Sequence, residues 1–139
     1  SCAVGPARTT LIGFSQGAIM ALESTQLDAP PAGCVFALSG RFAQLPRVAH
    51  AMVRTHLMHG DADPMMPLRL SDAALARLHS LGANATLDRF SGLGHGIDMR
   101  VVDAIVRRRG QGTAARQSAS SSSSRTASTR RRAGRPASR

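Results

Sequence analysis

Leu11-Ile12-Gly13-Phe14-Ser15-Gln16-Gly17-Ala18-Ile19-Met20 decides the reading of this chain. An apolar run meets Gly-x-Ser-x-Gly and passes directly into residues suited to a helix, so the sequence calls for a sharp strand-to-helix turn with Ser15 at its apex. Gly13 and Gly17 carry no side chains. Strand and helix can therefore approach closely while the serine between them is held in a strained, exposed conformation. Ser15 would present its hydroxyl at the C-terminal edge of a sheet.

Outward from that turn, residues 9–14 form the expected strand and residues 16–27 the helix, with Ala18, Ile19, Ala21 and Leu22 on its packed face. Asp28-Ala29-Pro30-Pro31-Ala32-Gly33 ends the helix. Cys34-Val35-Phe36-Ala37-Leu38-Ser39 is apolar until its last residue, as expected of a parallel strand covered on both faces. Residues 41–50 are a connection, with Pro46 arguing against a long helix. Residues 53–58 read as a strand running into His59-Gly60-Asp61-Ala62-Asp63-Pro64. Leu70, Ala74, Leu75, Leu78 and Leu81 then recur at helical spacing, and Gly82 fits just past that helix's end. Residues 85–90 are more polar and suit a strand near a sheet edge, and residues 91–96 form a loop. Asp98 opens a final helix with Ile97, Val101, Val102 and Ile105 as its apolar face, Arg107, Arg108 and Arg109 at its end, and Gly110 closing it. Strands alternating with helices give the α/β class, a mostly parallel sheet with helices on its faces. Sites in such sheets lie beyond the carboxyl ends of the strands.

The charge is unevenly spread. All 18 basic residues are arginine, and the formal net charge is +10. Residues 1–106 hold eight arginines against eight carboxylates, whereas residues 107–139 hold ten arginines and no acid. The expected organisation is a folded portion over residues 1–110 and a disordered Ser/Arg-rich tail over residues 111–139, which has almost no apolar surface to offset its ordering entropy. An electrically balanced domain is not expected to bind nucleic acid, except non-specifically through the tail. Cys2 and Cys34 form no metal or redox spacing, and Cys34 reads as a small core residue. A disulfide framework is not expected, which favours a reducing, cytoplasmic setting. No apolar run is long enough to span a membrane.

Three polar loops carry the chemistry. A serine hydroxyl needs a base to take its proton and a third group to hold that base in the correct tautomer, and the partners should follow in the order acid, then histidine. Asp63 and His95 follow Ser15 in that order, each after a strand. Asp61 competes with Asp63; Asp63 is preferred because Pro64 fixes the chain immediately after it. His95 is favoured by its place between Gly94 and Gly96 after the last strand. His56 lies inside a strand, His59 precedes Asp63 too closely to oppose it across Ser15, His79 lies within a helix, and His50 lies in the unassigned connection. Met65 and Met66 suit either an acyl pocket or ordinary packing under the loop. Neither a phosphate loop nor a zinc-type histidine spacing occurs, and this chemistry does not need a metal.

Residues 11–24, His59-Gly60-Asp61-Ala62-Asp63-Pro64 and Leu93-Gly94-His95-Gly96-Ile97-Asp98 resemble the bacterial serine esterases of the phospholipase/carboxylesterase family, within the α/β-hydrolase superfamily. The resemblance implies Ser15 as nucleophile, Asp63 as the acid, His95 as general base and the Gln16 backbone N–H as an oxyanion donor. It implies hydrolysis of small acyl esters of short to medium chain through an acyl-enzyme, without a cofactor. Lysophospholipids and thioesters are further substrates within the family. Family members carry, ahead of the serine turn, several strands and a His-Gly loop that gives a second oxyanion donor. This chain begins just before the turn, so the expected identity is the C-terminal half of such an enzyme, a partial α/β-hydrolase fold without the N-terminal strands. Loss of one oxyanion donor costs roughly 100- to 1000-fold in rate, which makes an inactive fragment the alternative.

Overall fold

The computed structural model describes residues 4–123, with side chains placed for residues 4–111. The chain divides into two compact units, Ser1–Ile105 and Val106–Arg139. In the first, a short 3-10 turn over Pro6–Arg8 leads to β1 (Thr10–Phe14), α1 (Gln16–Ser24), β2 (Cys34–Leu38), β3 (Arg54–Gly60), α2 (Leu68–Ser80) and β4 (Asn84–Phe90). Helix α3 follows over Met99–Ser123.

The four strands form one parallel sheet in the order β1-β2-β3-β4, the α/β architecture that alternating strands and helices imply. All five β2 residues are buried, because the strand is central and packed on both faces. Its alternating side chains supply two cores. Val35 and Ala37 pack with Ala18, Ala21 and Leu22 of α1 and with Ala74 and Leu78 of α2, while Cys34, Phe36 and Leu38 pack with Met58, Phe90, Val101 and Ala104. Cys34 is buried, as its apolar setting suggested. The polar strand β4 lies at one sheet edge, and β1 is at the other.

The register aligns the strand ends. Phe14 pairs with Leu38 and Leu38 with Met58, whereas β3 and β4 run on together to Gly60 and Phe90. Ser15, the Asp63 loop and the His95 loop therefore leave the same end of the sheet. Residues 41–53, which include the unassigned connection 41–50 and Val53, expected to open β3, are irregular and tied by polar side chains to α1 and the turn after it. Glu23 Oε1 accepts the Ala43 N–H (2.7 Å), and Gln26 Oε1 accepts those of Arg47 and Val48.

Several element details differ from the sequence reading. Helix α1 stops at Ser24 rather than near Leu27, where the Ser24 and Thr25 hydroxyls donate to the Ala21 and Leu22 carbonyls and compete with further helical bonding. In α2 the buried stripe is Ser71, Ala74 and Leu78, with Ser71 in place of the expected Leu70. In α3 the packed residues are Val101, Ala104 and Ile105, while Ile97 and Val102 face outward. That helix also passes through Gly110 to Ser123. The sequence reading closes it at Gly110; once nucleated, a helix propagates on backbone hydrogen bonds, and Ala114, Ala115, Arg116 and Gln117 favour it. The rest of the expected tail lies outside the described residues.

Phe36 is fully buried between β2 neighbours and the start of α3. Phe36→Ala is expected to cost about 3–5 kcal/mol in a denaturant melt, whereas Met52→Ala, at a side chain 74% exposed, changes stability by about 0.5 kcal/mol or less.

Candidate active site

Ser15 occupies the turn between β1 and α1 with φ 55° and ψ −116°, a strained region for a residue with a side chain. Its N–H donates to the Leu38 carbonyl, and its own carbonyl accepts the N–H groups of Ala18 and Ile19, which locks the apex to both β2 and α1. Gly13 is required here, since a Cβ would lie 2.2 Å from the Gly17 carbonyl oxygen. Gly17 contributes its backbone to that approach, but its own Cβ position faces open space, so the two glycines are not equivalent as the sequence reading assumed.

His95 connects the loops. Its Nε2 lies 2.9 Å from Ser15 Oγ and its Nδ1 lies 2.8 Å from Asp63 Oδ2. An ionised carboxylate only accepts, so Nδ1 carries the proton and Nε2 of the neutral ring is left to accept from the Ser15 hydroxyl. The Phe14 ring packs against the imidazole, with centroids 5.1 Å apart. Asp63 has a fully buried side chain. Burial pushes its carboxyl pKa up, but the hydrogen bonds from Met66 N–H, His95 and Met65 N–H, with the attraction of His95, outweigh this and hold it below the usual carboxylate range.

Asp61 and Asp63, both open as the acid from spacing, take different positions. Asp61 Oδ1 accepts the Gly92 N–H (2.8 Å), and the Asp61 and Ala62 N–H groups donate to the Phe90 and Leu93 carbonyls. Asp61 thus fastens the two loops together, while Asp63 faces His95. Gly60 permits the contact, because a Cβ there would lie 2.1 Å from the Leu93 carbonyl oxygen.

The other histidines stay away from Ser15. His56 stacks on Phe36 and shares a hydrogen bond with Thr86; His79 meets the Ala85 carbonyl; His50 precedes β3 at the opposite end of the strands. Met65 and Met66, open as either pocket or packing side chains, act first through their backbones, whose N–H groups both donate to Asp63 Oδ1 at 2.9 Å. The Met65 side chain is 72% exposed. A cavity of about 570 Å³ lies elsewhere, before β2 and β3, lined by Pro6, Ala7, Pro30, His50 and Met52 among others. Among the described residues, no group of three His, Cys, Asp or Glu side chains is placed to hold a metal ion, and no helix is long and apolar enough to cross a membrane.

With this geometry in place, the comparisons with known proteins are specific. Residues 1–107 match the family described as Phospholipase/Carboxylesterase. The chain belongs to that family. It is 47% identical over 97 residues to a protein named esterase YpfH of Escherichia coli strain K12, an overlap of 70% of this chain and 42% of that protein. Among solved structures, that of esterase PE8 superposes with a TM-score of 0.62 at 36% identity, over 76% of this chain and 52% of that one. Arabidopsis thaliana SOBER1 gives a TM-score of 0.65 at 25% identity, over 77% and 55%. The four-stranded parallel sheet is thus an α/β-hydrolase sheet, and the chain spans about half the length of the relatives it matches.

Two outcomes test the site. The native pKa of Asp63 lies below the 3.8 of a free carboxyl, so on acidification the unfolded chain takes up that proton first. The stabilisation from Asp63 is complete above that value and is lost as pH falls through the lower native pKa. Asp63→Asn should remove this component from the pH dependence of the melting temperature. Gly60→Ala should displace the His95 loop and lengthen its contact with Ser15, seen as slower fluorophosphonate labelling in a chain that still melts cooperatively.

Proposed function

We propose that the chain carries the catalytic residues of a serine carboxylesterase that hydrolyses small esters of short to medium acyl chains. The observation that carries this reading is His95 bridging Ser15 and Asp63 at 2.9 and 2.8 Å, supported by membership of a family whose named relatives include esterases. Ser15 Oγ attacks the ester carbonyl carbon as His95 Nε2 takes the hydroxyl proton. The carbonyl oxygen becomes an oxyanion, which the Gln16 N–H stabilises at the start of α1, where the first N–H groups of a helix lack intrahelical acceptors. The ester C–O bond then breaks, the alcohol leaves with the proton from His95, and Ser15 is left acylated. Water repeats the sequence with His95 again as base, releasing the acid and restoring the hydroxyl.

Asp63 keeps its charge throughout, holding the Nδ1–H tautomer and stabilising the imidazolium as it forms. The exposed apolar side chains of Phe14, Met65 and Ile97 lie on or beside the three loops and favour an acyl chain over a charged substrate, with Met66 half-buried behind them.

In hydrolysis of a short-chain nitrophenyl ester, Ser15→Ala should abolish Ser15-dependent turnover, and Asp63→Asn should lower kcat by about 10⁴-fold by favouring the wrong imidazole tautomer. Turnover by the wild-type chain that Ser15→Ala leaves unchanged would contradict the assignment.

A further inference from the structure

A second histidine stands behind the acid. His59, the penultimate residue of β3, has a side chain with no solvent exposure, and its ring has three polar neighbours. Nδ1 lies 2.8 Å from Ser71 Oγ on α2, Nε2 is in hydrogen-bond contact with the Met66 carbonyl oxygen, and Nε2 lies 3.4 Å from Asp63 Oδ2. A carbonyl oxygen can only accept, so Nε2 must carry a proton. The neutral ring then has a bare Nδ1, which accepts the Ser71 hydroxyl proton. Both ring nitrogens then have hydrogen-bond partners.

The consequence concerns a single loop. The Met65 and Met66 N–H groups grip Asp63 Oδ1 from one side of the turn, while His59 holds the Met66 carbonyl from the other. The turn is closed on both sides, which leaves Oδ2 facing His95 Nδ1. We propose that His59 is a positioning residue for the acid: held as the neutral Nε2–H tautomer by the Met66 carbonyl, with Ser71 on its Nδ1, it acts through Met66 to fix the Asp63 carboxylate, and hence the tautomer of His95. This rests on the hydrolase reading above for its catalytic consequence, though not for its structural content. Ser71 acquires a role as well, which accounts for a hydroxyl in the buried stripe of α2.

The test uses the full chain with ¹⁵N-labelled histidine, whose ring-nitrogen shifts distinguish protonated from bare positions, alongside the rate of fluorophosphonate labelling at Ser15. In the wild type, His59 should be neutral with its proton on Nε2, and His95 should carry its proton on Nδ1. In His59→Leu, His95 should populate both tautomers and labelling should slow by about 10- to 100-fold, the scale expected when a reacting group is misplaced by an ångström. His59→Gln, which keeps an N–H donor toward Met66, should restore most of both. Should the leucine variant fail to fold, Ser71→Ala serves in its place: it leaves His59 Nδ1 without its hydroxyl partner, and mixed tautomers at His95 and slower labelling are expected. A wild-type His59 that is charged or protonated on Nδ1, or a folded variant with His95 tautomer and labelling rate unchanged, would overturn the proposal. If the wild-type chain is not labelled at all, the hydrolase reading fails, while the tautomers of His59 and His95 still decide the positioning claim.

Discussion

The end of the sheet that bears Ser15, Asp63 and His95 depends on keeping one carboxylate charged where its side chain has no exposed surface. Asp63 has no exposed side-chain surface, and desolvation opposes its ionisation more strongly than any single contact supports it. Two backbone N–H groups and one imidazole together reverse that balance. Each of these donors requires a particular backbone path: the turn after Asp63 must bring the Met65 and Met66 amides back over it, and the loop after β4 must bring His95 across. The loop conformations are thus consequences of solvating an anion with protein groups, and the imidazole tautomer that follows is the one able to accept from a serine.

The parallel register makes this convergence possible. Because Phe14, Leu38 and Met58 are level and β3 and β4 continue together, the chain exits at Ser15 opposite the loops that bear Asp63 and His95. Close approach then depends on missing side chains. Gly13 lets the start of α1 fold back onto β1, and Gly60 lets the β4 exit loop lie on the β3 exit loop. Strain at Ser15 is held in place by its backbone bonds to Leu38, Ala18 and Ile19, so the hydroxyl's position belongs to the sheet and helix rather than to a mobile loop.

Much of this was legible in the sequence, and the limits have physical causes. The continuous apolar run of β2, the helical stripe of α2 and the Gly-x-Ser-x-Gly turn depend on local periodicity and turn chemistry, which a sequence displays directly. Ser15, Asp63 and His95 were nominated by their order and their strand-end positions. Asp61 and Asp63 could not be separated by spacing, because what distinguishes them is which face of a turn meets a loop some 30 residues away in sequence. The use of the Met65 and Met66 backbones was hidden for the same reason, since side-chain chemistry says nothing of where an amide points. His59 was set aside because it precedes Asp63 too closely to oppose it across Ser15, and its partner Ser71 lies on a helix position that the leucine spacing did not mark. A buried serine among apolar stripe positions was the available signal. The continuation of α3 past Gly110 was missed because composition reports apolar surface and not helix propagation.

The central claim is that Ser15 becomes covalently acylated with His95 as its base. The most direct measurement is mass spectrometry of the wild-type chain, acid-quenched during reaction with a short-chain nitrophenyl ester and then proteolysed. The account predicts the mass of one acyl group on the peptide containing Ser15, absent in His95→Ala. An acyl group on any other residue, or the same Ser15 adduct at the same rate without His95, would contradict it.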